Sequence, residues 1–589
     1  MFRLCLSRFK VQNSSKNNIK IFANYVNCIG ENLNKKKYST QLKHKIPERN
    51  QNIIDNDNIF HSPWQDIDIP DDVPLHDYVW KNVDKWWQKT AVVCSMTGRS
   101  YNYGQLRVLS GRFATSLKKL NLKPGNSLAA VLPNVPEFVI IAMGASEAGI
   151  PLTLINPLYT AREMNHQLEN SDAGAVVTVS MRYQIVADAV NGKYPIIHLD
   201  AGNCNGPTGT INFKDLVDDS VVELEKTGEK ININAANDSV ILPYSSGTTG
   251  LPKGVELTHK NLVGNLTQIN HPAFHLLEPA IGEFQDVNPI ILPIFHSYGF
   301  SILCMGLSFG CKLICMPIFT PDSFLEICEK YPLTGLSVVP PIIQLMTLDP
   351  RFTKKHLKNL QAIVTGATSL NKELADKFLD KFGNSFALIK GYGLTETSPT
   401  ITSGMNRPDD SVGLLLPNTK IKIIGQAHDN AGQSLGINQV GEILVKGPQV
   451  MKGYFKNPQG TLDTMQDDWL KTGDLGKITN DGDLQIAGRL KELIKVKGLQ
   501  VSPIELEDLL HGHDKVADVA VVGVPHERFG EIPKAFIVAK QGVQITEDEI
   551  KNYVAKQVVD YKQLGQVVFI DKIPKSAVGK ILRKQLENM

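Results

Sequence analysis

Tyr244-Ser-Ser-Gly-Thr-Thr-Gly-Leu-Pro-Lys-Gly-Val255 is the stretch on which the reading of this 589-residue chain turns. Eight of its first ten residues are Ser, Thr, Gly, Leu or Tyr, and no charge appears before Lys253. The apolar run Val240-Ile241-Leu242 ahead of it predicts a buried strand. Beyond it, Thr258 predicts the cap of a helix whose apolar face is Leu262, Leu266 and Ile269. A loop leaving a strand end towards a helix, rich in glycine (Gly247, Gly250), can turn backbone N–H groups onto an anion. The hydroxyls of Ser245, Ser246, Thr248 and Thr249 add donors, and Lys253 adds a point charge. This is a chemistry for gripping triphosphate. It is not the Walker loop, which needs Ser or Thr after its lysine, because Gly254 follows Lys253. Taken alone, the stretch also reads as a flexible polar turn.

Length and charge set the outer limits. The chain is too long for one ordinary core, so several subdomains are expected. At 42% hydrophobic and 21% charged, with a net charge of +2, it reads as soluble and globular with no general reason to bind nucleic acid. Residues 1–46 hold ten Lys/Arg against the single Glu31, a net +9, which leaves −7 for the rest within the total of +2. Such a basic, acid-poor, Ser/Asn-rich start resembles a mitochondrial transit peptide, and Lys36-Lys37-Tyr38-Ser39-Thr40 resembles a matrix-processing site cut after Tyr38. The expectation is a mitochondrial (matrix) protein, with a disordered basic tail on a cytoplasmic protein as the alternative. The C-terminal Glu587-Asn588-Met589 is not a peroxisomal signal. The eight cysteines show no zinc or thioredoxin spacing and read as buried, reduced thiols. The uncharged run Tyr298–Cys311 is too short and too glycine-rich for a transmembrane segment and predicts a buried helix and strand.

Strand and helix patterns alternate at short spacing. Tyr103-Gly-Gln-Leu106 opens a helix, Ser127–Leu132 reads as strand, Val135–Ala148 as helix, Ile150–Ile155 as strand, Ala161–Asn170 as helix and Ala175–Val179 as strand. The pattern returns with strand Ala362–Val364, loop Thr365–Ser369 and a helix face of Leu374, Phe378 and Phe382. Alternation of this kind predicts parallel α/β units. Asn50–Asp72 is polar and proline-punctuated, and is expected to wrap the surface.

Further strings stand out along the chain: Leu292-Pro-Ile-Phe-His-Ser-Tyr-Gly299, Lys390-Gly-Tyr-Gly-Leu-Thr-Glu-Thr397, Trp469-Leu-Lys-Thr-Gly-Asp-Leu-Gly476, Gly488-Arg489-Leu-Lys, and Ile573-Pro-Lys-Ser-Ala-Val-Gly-Lys580. Together with the loop they resemble the signature motifs of the adenylate-forming superfamily, whose members include acyl-CoA synthetases, coumarate–CoA ligases, luciferases and peptide-synthetase adenylation domains. The resemblance runs from about Ser62 to Leu586.

That resemblance implies an α/β fold: a large N-terminal part of two parallel α/β subdomains plus a small β subdomain, and a mobile C-terminal α+β lid. The implied divisions are a leader over 1–46, an AMP-binding part over 47–487 and a lid over 488–589. It implies an ATP site of Ser245, Ser246, Gly247, Thr248, Thr249, Gly250, Lys253, Tyr392 (stacked on adenine), Thr395, Asp474 (on ribose), Arg489 and Lys580. Glu396 would hold Mg²⁺, which takes few carboxylates plus phosphate oxygens. Lys580, Thr395, Glu396 and His296 would be catalytic. The acyl pocket would be His296, Ser297, Tyr298, Ile302, Ile342, Gly366, Gly391, Pro399 and Thr400, a mostly apolar slot. Lys497 and Gly498 would border the coenzyme A channel, Gln500 would assist adenylation, and Gly488 would be the hinge. Coumarate ligases usually carry Asp at that hinge, so the acid is not read from them alone. The implied reaction is ATP-dependent adenylation of an aromatic or medium-chain fatty acid, then transfer to coenzyme A. A luciferase-like oxidation of the acyl-adenylate and a non-catalytic nucleotide-binding protein stay as alternatives. No carrier domain follows Lys580, against a peptide-synthetase module. The residues do not fix oligomeric state.

Overall fold

The computed structural model describes residues 53–589, apart from 121, 124, 201–205, 230, 246–251, 275–276, 367–369, 371, 406, 408–409, 427–429, 497–498 and 577–578. The leader, Ser246–Gly250 and Lys497-Gly498 therefore lie outside the described residues.

The apolar runs build parallel sheets whose strands are buried on both faces. In one, Ser127–Val131, Leu152–Leu154, Ala173–Val179 and Ile196–Leu199 run parallel, and Ser239–Ser245 pairs parallel to Leu152–Leu154. In the other, Val287–Ile290, Lys312–Cys315 and Thr90–Cys94 are parallel. This second sheet adjoins a third, of parallel Gly335–Val338, Ala362–Thr365 and Ala387–Tyr392 closed by antiparallel Thr402–Met405. The joint is Thr334, whose N–H donates to Val287 O at 3.0 Å while its hydroxyl accepts from Val287 N at 2.9 Å. The helices between are fixed at their starts by reciprocal caps: Asn102 with Gln105, Thr160 with Glu163, and Thr258 with Asn261. Each cap stabilises by about 1 kcal/mol. Glu137–Glu147 is buried along its whole length, and the carboxylates at its two ends are paired with Arg99 and Arg107.

A small antiparallel sheet forms the third part: Ile59–His61, Lys420–Ile424, Gly441–Lys446, Trp469–Ile478 and Leu484–Arg489. Residues 53–72 do not simply wrap the surface as expected. Ile59–His61 is an edge strand, and Phe60 and Trp64 are buried, because these apolar side chains give an otherwise polar segment a face for the core. A last sheet, centred on the hairpin Val516–His526 and Gly530–Ala539, has cores of its own drawn only from residues 494–586. The run Tyr298–Cys311 is the buried helix Ser297–Ser308 leading into the strand Lys312–Cys315. The cysteines among the described residues, Cys94, Cys304, Cys311, Cys315 and Cys328, are free and buried. Among the described residues no helix is long and apolar enough to cross a membrane.

One local expectation is corrected. The loop after Ser245 does not run on to the helix. It returns as a second strand, Lys253–Thr258, antiparallel to Ser239–Ser245 with Lys253 opposite Ser245, and only then does Thr258 cap the helix His259–Ile269. Val255 and Leu257 are the buried pair that make this stretch a strand.

Candidate active site

The candidate residues gather at the carboxyl ends of the parallel strands, the edge where open α/β sheets bind ligands. Ser245 ends one strand, Thr365 a second and Tyr392 a third, and His296 follows Val287–Ile290. The hairpin stands over this edge. Tyr244 is held by its hydroxyl, which donates to Asn170 Oδ1 at 2.6 Å. A Cβ at Gly254 would come within 3.1 Å of the Tyr244 ring, so the two strands meet closely there.

Glu396 sits in the turn Thr395–Thr397 and faces the hairpin. Its Oε1 accepts from Ser245 Oγ and from Tyr454 OH, both at 2.9 Å. Lys253 Nζ lies 4.8 Å from the centroid of the Tyr454 ring, within cation–π range. One carboxylate is thus oriented by two hydroxyls beside one ammonium. Among the described residues no group of three or more His, Cys, Asp or Glu is placed to hold a metal, so a cation at Glu396 would need most of its oxygens from a ligand. That donor set fits Mg²⁺ with nucleotide phosphate.

Asp474 is buried in the strand Trp469–Ile478, opposite Arg489 in the adjoining strand. Its Oδ2 accepts from Tyr392 OH at 2.7 Å, and its Oδ1 lies 2.9 Å from Arg489 Nε. Burial pushes the Asp474 carboxyl above the usual range, and Arg489 pulls against it. Tyr392 is raised well above an ordinary phenol by burial and by Asp474.

Below Tyr392 a cleft opens towards the interior. His296, Ser297, Tyr298, Ile302, Gly366, Gly391, Pro399 and Thr400 line it. Ile342 does not; it is buried in the helix Pro340–Leu348. Ile269, Phe274 and Met305 add apolar wall. The Tyr298 N–H donates to His296 Nδ1 at 3.3 Å, and burial, with Lys580 adding to it, lowers the imidazole pKa to about 4. The ring is therefore neutral at pH 7 and carries its proton on Nε2. Among the described residues, the Tyr298 hydroxyl and Thr365 Oγ1 are buried with no hydrogen-bond partner. Ser297 Oγ donates to Thr395 Oγ1 at 3.4 Å, which joins the cleft to the Glu396 turn.

Lys580 arrives from the C-terminal sheet. Its loop is closed by Ser576 N–H donating to Lys580 O at 2.8 Å and Lys580 N–H donating to Ser576 Oγ at 3.2 Å. A Cβ at Gly579 would meet Pro341 Cγ at 2.9 Å, so the loop lies tight against the large part. Burial pushes the Lys580 ammonium down, Arg489 adds to the shift, and Glu492, Asp474 and Glu396 oppose it. Arg583 was not legible as a site residue. It is half-buried, donates to Glu492 Oε2 and Val521 O at 2.8 Å each, and pairs with Glu507. It ties the Lys580 loop to the turn after Gly488. The basic run at the end of the sequence gave no sign of this, because its two carboxylates are distant in sequence. Tyr454 was missed for the same reason.

Comparison with known proteins bears on this arrangement. The model of the family described as AMP-binding enzyme matches residues 79–455, and that of the AMP-binding enzyme C-terminal domain matches residues 505–580. The chain belongs to the AMP-binding, adenylate-forming family. It is 39% identical over 543 residues to 4-coumarate–CoA ligase 1 of Petroselinum crispum, covering 90% of this chain and 96% of that one. Among solved structures, ATP-bound MatB from Rhodopseudomonas palustris superposes with a TM-score of 0.77 at 27% identity, over 87% of this chain and 98% of the other. A benzoate CoA ligase from Burkholderia xenovorans LB400 gives 0.77 at 25% identity, over 87% and 100%.

Proposed function

We propose that the protein is an acid–CoA ligase that adenylates an aromatic carboxylic acid bearing a polar substituent and passes the acyl group to coenzyme A. The observation that carries this reading is the convergence of Glu396, Tyr392, Asp474, Arg489 and Lys580 at the mouth of a largely apolar cleft whose wall holds two buried hydroxyls, Tyr298 and Thr365, with no partner among the described residues. The kinship to CoA ligases supports it.

In the first step a carboxylate oxygen attacks the α-phosphorus of ATP and pyrophosphate leaves. Two anions meet, so catalysis is chiefly positioning and charge compensation. Asp474 accepts from the ribose hydroxyls, and Lys253 and Arg489 compensate phosphate charge. Lys580 places its ammonium where carboxylate and phosphate approach. His296 offers Nε2–H to the acid. Mg²⁺, bound at Glu396, would neutralise phosphate charge. In the second step the coenzyme A thiol attacks the acyl carbon and AMP leaves. The lid, hinged at Gly488, turns Lys580 away and brings Lys497-Gly498 to the channel.

Substitution at Tyr298 tests the acid class. Tyr298→Phe removes one buried hydroxyl and keeps the ring. A site built to pair a substrate hydroxyl discriminates strongly against its loss, and removing one such bond costs about tenfold. The variant is expected to lose about that factor in kcat/KM for 4-hydroxycinnamate, and little for cinnamate. Equal loss for both acids, or preference for a straight-chain fatty acid in the unaltered protein, would remove the polar-aromatic assignment.

Glu396→Gln keeps shape and both hydroxyl contacts, so the thermal midpoint without nucleotide should barely move. The Mg²⁺ concentration for half-maximal pyrophosphate release should rise. An unchanged Mg²⁺ curve with a lowered midpoint would make Glu396 structural.

The +9 leader supports import into mitochondria with removal near Tyr38. Sequencing the mature N-terminus from fractionated cells should find a chain starting near Ser39 in the matrix fraction. A chain starting at Met1 in the cytosol would contradict it.

A further inference from the structure

We infer that Asn265 is a specificity-determining positioning residue: it fixes the cleft wall at Thr400 and so sets which acids fit. The inference rests on the reading of this cleft as the acid's pocket.

Asn265 is fully buried on the helix His259–Ile269. Its Nδ2 donates to Thr400 O at 2.8 Å, and its Oδ1 accepts from Thr400 N at 3.1 Å. One side-chain amide therefore satisfies both backbone groups of a single cleft-lining residue. Thr400 stands just ahead of the ladder of Thr402–Met405, whose paired residues run from Tyr392 opposite Thr402 to Ile389 opposite Met405. Asn265 does there the work that a neighbouring strand does elsewhere.

The amide is itself held. Nδ2 also donates to Gln268 Oε1 at 3.2 Å. Gln268 Nε2 in turn donates to Pro417 O at 2.6 Å and Gln449 Oε1 at 3.1 Å. Gln449 O accepts from Ser398 Oγ at 2.9 Å, two residues before Thr400. The Thr400 carbonyl and N–H fix which end of the Asn265 amide donates. On its other side the wall presses on Gly393, where a Cβ would lie 1.8 Å from Pro399 O and 3.0 Å from Thr400 Cα. The segment Pro399-Thr400 is thus held between the Gly393 turn and the Asn265 amide, and if the amide goes it moves relative to the cleft. The same helix carries Ile269 into the cleft. A buried amide contributes only while its set of bonds is complete, so its loss is felt at the group it orients.

The test uses the full chain with Asn265→Ala and the isosteric Asn265→Asp, which replaces the donor facing Thr400 O by an oxygen. Gln167→Leu is the control: Gln167 is buried, donates to Leu154 O at 2.9 Å and belongs to another helix. Acid-dependent pyrophosphate release is followed with 4-hydroxycinnamate, benzoate and hexanoate, and KM is measured for each acid and for ATP. Both Asn265 variants should raise KM for the widest acid accepted by about tenfold and change the order of preference, with KM for ATP unchanged. Gln167→Leu should lower the thermal midpoint and leave the order as it was. An unchanged acid order in the Asn265 variants, or a parallel rise in every KM including that for ATP, overturns the inference. An unaltered protein that turns over no acid at all overturns instead the reading beneath it.

Discussion

Lys580→Ala is expected to lower acid-dependent pyrophosphate release by about 10²–10³-fold, the usual cost of one preorganised charge donor. The ammonium is half-buried, and Arg489, Glu492, Asp474 and Glu396 all act on it electrostatically. Thioester formation from supplied acyl-adenylate should persist, because the charge that Lys580 compensates has left with pyrophosphate. Single-turnover assays of each half-reaction check this. Equal loss in both halves would refute the division of labour.

Gly488→Pro is expected to have the second-largest effect, and the conformation of the glycine decides which half-reaction it falls on. With Lys580 at the cleft, Gly488 has φ of +151°, a region that side chains other than glycine's scarcely enter. A Cβ there would come within 2.8 Å of Ser502 Oγ, whose hydroxyl donates to Ala487 O at 2.6 Å. Proline holds φ near −65° and cannot adopt this pose. The variant should therefore lose adenylation steeply, by about tenfold or more given a strain of about 1–3 kcal/mol. It should retain thioester formation from supplied acyl-adenylate, which the proposed mechanism assigns to the turned lid. Gly488→Ala meets the same φ and the same hydroxyl, and should show a milder loss of the same half-reaction. Full retention of both steps in the proline variant would put the pivot elsewhere.

The sequence carried much of this, and its failures have physical causes. The Thr258 cap, the face Leu262, Leu266 and Ile269, and the strands at Val240 and Ala362 were legible because each is a local pattern. The strand Lys253–Thr258 was not. It has six residues, shows only Val255 and Leu257 as an inward pair, and gains its identity from Ser239–Ser245 across the hairpin. Glu396, Tyr392, Asp474 and Arg489, which the structure brings together, stood out through the resemblance as parts of continuous strings. The cleft wall was legible only in part. Phe274, Met305 and Thr365 come from three separated segments, and no spacing in the chain announces their meeting. Ile342 carried the right chemistry on a neighbouring helix but turns into the core. Asn265 is a polar position between Leu262 and Leu266 that no local pattern marks. Its importance appears only when Thr400, 135 residues away, is seen against it.

The central claim is that one site makes an acyl-adenylate and then a thioester. Purified protein mixed with ATP, Mg²⁺ and a panel of aromatic and aliphatic acids, with and without coenzyme A, tests it directly when acyl-adenylate, acyl-CoA, AMP and pyrophosphate are all followed by mass spectrometry. The account predicts acid-dependent pyrophosphate and a bound acyl-adenylate without coenzyme A, and its conversion to acyl-CoA and AMP when coenzyme A is added. Acyl-adenylate that persists in the presence of coenzyme A, or that consumes oxygen instead, would contradict it.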